Sequence, residues 1–142
     1  MNIESYDLDD LLKVLKPYQQ ELINQLINQY GVEEAIDKWI IANGPSDIVK
    51  FGGDSNNSVS FVERYKIEIN KLICGHPDYS EDRVEYSKLN ESAKTFLISS
   101  ISSLIGSQLG VAATVIAPAV VLSIYLIGKM GVKAYCANVT FE

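Results

Sequence analysis

Cys74 and His76 stand two residues apart in a Cys-Gly-His-Pro turn, and Cys136 is the one other cysteine in the chain. A structural zinc site takes four ligands, so this set falls short and no bound metal is expected. A Cys–His nucleophile needs the imidazole aimed at the thiol and an oxyanion donor close by. Neighbours in a turn rarely point at each other, and no such donor is identifiable. The plainer reading makes Cys74 a buried helix-end residue and His76 a solvated loop residue. The opening MNIESYDLDD has neither a basic stretch nor an apolar core, so no secretory signal is expected. Free thiols and a cytoplasmic or inner-membrane-associated location are the corresponding expectations. The glycosylation triplets at Asn56, Asn90 and Asn138 are then coincidental.

Other chemistry-bearing patterns dissolve in the same way. Gly52-Gly53-Asp54 suggests a phosphate cradle, but Lys50 precedes the glycines and no Gly-Lys-Ser/Thr ending is present, so a turn is expected. The pairs Asp9-Asp10, Glu33-Glu34 and Glu81-Asp82 sit at helix starts, where acids suit the positive end of the helix dipole. Trp39 occupies a core position of its helix. The serines between Ser99 and Ser107 contain no Gly-x-Ser-x-Gly elbow. No catalytic residue and no cofactor is therefore expected; the chain reads as a non-enzyme. With a net charge of −6 and no basic run, it lacks the electrostatic footprint of a nucleic-acid binder.

The elements around these residues are helical. Residues 7–16 place Leu8, Leu11, Leu12 and Leu15 at helical spacing behind Ser5 as an N-cap, and Pro17 stops or restarts the helix. Residues 18–30 carry a stripe of Leu22, Ile23, Leu26 and Ile27, closed by Gly31. Residues 32–43 align Ala35, Ile36, Trp39 and Ile40 ahead of a Gly44-Pro45 stop. Residues 44–60 read as a loop. Ser60 and Glu63 form a capping box for a helix running to about Cys74, with Gly75 beyond it. Alternation in YKIEI (residues 65–69) competes as a strand signal. Residues 76–82 read as a loop, and residues 83–94 as a helix that continues unbroken into the uncharged stretch beyond Lys94.

The distribution of charge divides the chain. Residues 1–94 hold 17 of the 18 acidic and 10 of the 12 basic side chains, a net −7, and residues 95–142 carry +1. Between Lys94 and Lys129 lie 34 residues with no charge at all. Residues 109–128 are twenty mostly apolar residues, the length that spans a bilayer core about 30 Å thick. Ser102, Gly106 and Gly110 repeat a small residue every fourth position, and Ala113 and Ala117 do the same; such stripes let helices approach closely in lipid. Tyr125, Lys129 and Lys133 suit an interfacial flank, alongside Tyr135. A hairpin turning near residues 108–110 would put both ends on one side. Pro118 fits most simply as the first-turn residue of a shorter helix, 118–136, hydrophobic all round over 119–127.

The expected fold is all-α: a small helical bundle with a C-terminal hydrophobic helix or helical hairpin. Region 1–94 is the acidic amphipathic part, and 95–142 the uncharged part that packs on it or enters a membrane. Two functions are compatible with this. In one, residues 95–136 insert into, or oligomerise within, a bilayer, as in an effector, a toxin-like protein or a defence-associated component. In the other, the chain is a soluble protein–protein interaction module whose hydrophobic segment is its central helix. The layout resembles the plan of compact prokaryotic membrane-perturbing effectors, a likeness that carries no residue correspondences. The partner implied is a membrane, a second copy or another protein.

Overall fold

In the computed structural model, the described residues are 3–45, 60–90 and 93–141. They form α1 (Leu8–Leu12), α2 (Pro17–Tyr30), α3 (Val32–Asn43), α4 (Phe61–Ile73), a 3-10 turn (Pro77–Tyr79), α5 (Ser80–Ser87), α6 (Lys94–Leu109), α7 (Ala113–Met130) and α8 (Val132–Cys136), with no strand among them. The chain is thus an all-α bundle with a C-terminal helical hairpin, α6 and α7. The glycine pair and lysine of the 44–60 loop and the triplet at Asn56 lie outside the described residues, as do Glu91 and Ser92 of the triplet at Asn90.

α7 is the centre. It packs against α6, α3, α1 and α8, and all seven residues from Pro118 to Ile124 are buried. Seven residues make about two full turns, so burial runs around the whole circumference. A helix apolar on every side has no solvent face to offer and belongs in the middle of a bundle or in lipid. Here the chain's own helices surround its residues 118–124.

The surrounding helices are amphipathic for legible reasons. Pro17 drives Lys16 into extended backbone (ψ 150°), which ends α1 early and opens α2 with proline at its first position. Leu15, beyond the end of α1, is buried all the same, and Asp7 rather than Ser5 takes the cap position. Ala35, Ile36, Trp39 and Ile40 form the buried face of α3. In α6 the serines resolve into a surface: Leu97, Ile98, Ile101, Ile105 and Leu109 face inward, and Ser99, Ser103 and Ser107 face out.

Three expectations give way. YKIEI is helical, because Ser60 Oγ accepts the Glu63 N–H at 3.1 Å and starts α4, which closes its own backbone hydrogen bonds. Tyr65, Ile69, Leu72 and Ile73 then share its buried face, and Ile67 is 45% exposed. Residues 76–82 are not a loop but a 3-10 turn leading directly into α5. α5 does not run on into the apolar segment. It ends at Ser87, residues 88–90 are non-helical, and α6 starts afresh at Lys94. α5 packs on α4 while α6 packs on α7 as well, and one straight helix cannot serve both.

The helical phase of α4 sets a contrast. Ile69→Asp, which buries an unpaired carboxylate, lowers unfolding free energy by about 4 kcal/mol or more. Ile67→Asp stays within about 0.5 kcal/mol of the parent in urea titrations followed by circular dichroism. Equal losses at the two positions would contradict the helix.

Candidate functional site

Pro118 is the sixth residue of α7, not its first. The expectation of a shorter helix opening at Pro118 fails because the neighbouring helices supply what the proline removes. Proline has no N–H, so the Thr114 carbonyl four residues back lacks its usual helical donor. Gln19 Nε2 donates to that oxygen at 2.9 Å, and Trp39 Nε1 donates to the next carbonyl, Val115 O, at 2.8 Å. Both side chains are 3% exposed. The Gln19 amide is also used at its other end, where Oε1 accepts the Lys16 N–H at 3.2 Å. That pattern fixes the amide's orientation, since only the nitrogen end can donate to a carbonyl.

Gln19 also explains α2. The buried positions of that helix are Gln19 and Ile23, and Leu22 of the expected stripe is 43% exposed. The helix turns its glutamine toward α7 and leaves a leucine partly uncovered. Polarity hides Gln19 in the sequence, because polar residues ordinarily belong outside. The available signal is the proline itself, whose freed carbonyl demands a donor from elsewhere in the chain.

The small residues of the uncharged segment do not line one helix face. Ser102 and Gly106 are buried on the inner side of α6, and Ser102 Oγ has no hydrogen-bond partner among the described residues. A Cβ on Gly106 would lie 2.7 Å from the Val111 carbonyl oxygen, so this glycine lets the hairpin turn close. Gly110 is not helical; it takes a left-handed conformation (φ 79°) at the end of α6. The Val111 N–H then reaches back to Gly106 O at 2.9 Å. Ala113 and Ala117 are not on α6 at all but beyond that turn, on α7, and Ala117 is half-buried. Of the expected flank, the Lys129 ammonium stands 5.8 Å from the Tyr125 ring centre, and Lys133 is exposed on α8. Tyr135 turns inward, and its hydroxyl donates to Asn70 Oδ1 on α4.

The cysteines are not free. Cys74 and Cys136 form a disulfide with their Cα atoms 5.5 Å apart, tying the end of α4 to the end of α8. Their distance of 62 residues in sequence conceals a pairing that only the return of the hairpin creates. His76 accepts the Asp78 N–H on Nδ1 at 3.1 Å and sets its ring edge-on to Phe141. The sulfur of Cys74 is thus bonded and the His76 lone pair occupied. Arg83 closes the same corner: its guanidinium donates to the carbonyls of Lys71 and Leu72 at 3.1 Å and of His76 at 2.7 Å, where a cation suits the C-terminal end of α4.

Four phenols are held protonated above their ordinary range. Burial pushes Tyr86 up to about 12, helped by the nearby Asp82 charge. Burial likewise raises Tyr65, whose hydroxyl lies 2.7 Å from Ser123 Oγ, and Tyr79, which hydrogen-bonds Glu68. Tyr135 is raised by burial and then by the charge of Glu33. Beside Tyr135, between α3, α4, α7 and α8, lies a cavity of 140 Å³ lined by Ile36, Ile69, Leu126 and Ile127 among others.

The fold and these contacts define a class: an all-α bundle built around one apolar helix, two of whose carbonyls accept hydrogen bonds from side chains of the wrapping helices. No family model, no curated protein and no solved structure matches this chain.

A double-mutant cycle measures the cap. Gln19→Leu removes the donor of the part-buried Thr114 carbonyl and costs about 1 kcal/mol. Adding Pro118→Ala returns the helical N–H and recovers about half or more of that loss, a coupling readable by chemical denaturation. Additive effects would mean that Gln19 does not serve the proline. The phenols make a second prediction. Because their folded values exceed the unfolded value of about 10, their contribution is complete below pH 10 and is lost as pH rises from 10 towards 12 and beyond. Thermal melts should fall across that interval, and part of the tyrosinate absorbance should appear only on unfolding.

Proposed function

We propose that this chain is a non-enzymatic, soluble helical interaction module, with the uncharged segment as its core and an acidic outer surface that meets a basic partner protein. The supporting observation is the capped central helix: Gln19 and Trp39, from the acidic region, hold the Thr114 and Val115 carbonyls while residues 118–124 of α7 are enclosed. A helix destined to face lipid has no use for buried donors on two soluble helices. The disulfide favours an oxidising compartment, since such bonds are rare where thiols are kept reduced; this departs from the cytoplasmic expectation.

Insertion of the hairpin into a bilayer is the second reading. One observation favours it: α7 is a single helix of 18 residues, long and apolar enough to cross a membrane. Insertion would have to break the Gln19–Thr114, Trp39–Val115 and Tyr65–Ser123 contacts and release Ser102 and Gly106 from the chain's own core. Self-association in lipid through those small residues belongs to this reading alone.

Carbonate washing of membranes from expressing cells separates the two. The module releases its protein completely and runs as one detergent-free species on gel filtration, and Val121→Asp abolishes its cooperative unfolding. Retention in the washed membranes, or a folded Val121→Asp protein, would overturn the soluble reading.

A further inference from the structure

The cavity between α3, α4, α7 and α8 has the build of a ligand site. At 140 Å³ it is close to the size of an engineered apolar cavity that takes up benzene, about 150 Å³. Ile36, Ile69, Leu126 and Ile127 supply apolar walls, and the buried, hydrogen-bonded Tyr65 and Ser123 complete the lining. Charge is confined to Glu33 and Lys66. The Lys66 ammonium lies 2.9 Å from Asp37 Oδ1 and is already neutralised. Glu33 forms no ion pair among the described residues, so one uncompensated negative charge remains beside an apolar pocket. Its field reaches Tyr135, the aromatic wall contributed by α8. The Tyr135 hydroxyl donates its proton to Asn70 Oδ1, so its oxygen is left as an acceptor.

We infer that this cavity binds a small primary amine with a compact apolar body, its ammonium between Glu33 and the Tyr135 oxygen and its body against Ile36, Ile69 and Ile127. A carboxylate and a phenol oxygen both accept from an ammonium and donate nothing to it, whereas an anion would face the unpaired Glu33 charge. The site is also joined to the disulfide. Tyr135 precedes Cys136, so the bond to Cys74 holds the α8 wall against α4. α8 has no fully buried residue, and the disulfide and the Tyr135–Asn70 hydrogen bond together hold it to α4. Reduction therefore opens the wall and weakens the site.

Benzylamine, benzyl alcohol and benzoate, titrated into the oxidised full chain and followed by amide chemical shifts, test the inference. Benzylamine saturates with a dissociation constant on the order of 0.1–1 mM, as befits a ligand of about eight heavy atoms, and shifts Glu33, Ile69 and Tyr135. Benzyl alcohol binds roughly tenfold more weakly and benzoate does not saturate. Glu33→Gln, on an exposed position, keeps the parent melting temperature and removes the amine's advantage over the alcohol. Cys136→Ser weakens both ligands alike by freeing the wall. Lack of saturation by benzylamine, shifts mapping away from the cavity, or an amine preference that survives in Glu33→Gln would overturn the proposal.

Discussion

A proline inside the most buried helix is the constraint around which the rest is arranged. Pro118 leaves the part-buried Thr114 carbonyl without a helical donor, a hydrogen bond worth about 1 kcal/mol. Gln19 meets that need with one end of its amide, while the other end receives the first turn of its own helix. Trp39 adds a donor to the next carbonyl, Val115 O, and fills space with its ring. Two hydrogen bonds thereby register α2 and α3 against α7. Hydrophobic contact alone is non-directional and would tolerate sliding; a donor that must meet one carbonyl does not.

The same logic recurs at several other buried polar groups, though not at Ser102. Ser123, the one hydroxyl on the enclosed part of α7, meets Tyr65 of α4. Tyr135 meets Asn70, and Arg83 gathers three carbonyls at the end of α4. The disulfide closes the circuit by fastening α8, which comes after the central helix, to α4, which lies outside it. Region 1–94 and region 95–142 are thus cross-linked by specific polar bonds and one covalent bond. Each half satisfies groups that the other half exposes.

That arrangement bears on function through what remains at the surface. In the proposed reading the apolar segment is used in folding, and recognition is assigned to the acidic exterior and to the cavity beside Tyr135. In the proposed module the partner is selected by charge, which governs encounter and discrimination more than affinity. The cavity sits where the disulfide, α8 and an unpaired carboxylate converge. A ligand there would be sensed by the same element that the staple restrains.

Much of the architecture was legible from residue pattern. Apolar spacing marked Ala35, Ile36, Trp39 and Ile40 as one face, the Ser60–Glu63 box marked the start of α4, and the glycine near residue 110 marked the hairpin turn. These are local effects, set within a turn or two of chain, and the sequence by itself determined them, along with the need to shield 34 uncharged residues from water. It did not determine what does the shielding. Whether α7 meets lipid or protein depends on whether the amphipathic helices can close around it, and that is a matter of long-range fit. The disulfide across 62 residues, the inward Gln19, the retained Pro118 and the break between α5 and α6 were decided by the tertiary structure alone. The physical reason is common to all four: each depends on a partner far away in sequence, and no local pattern records which distant groups will be brought within bonding distance.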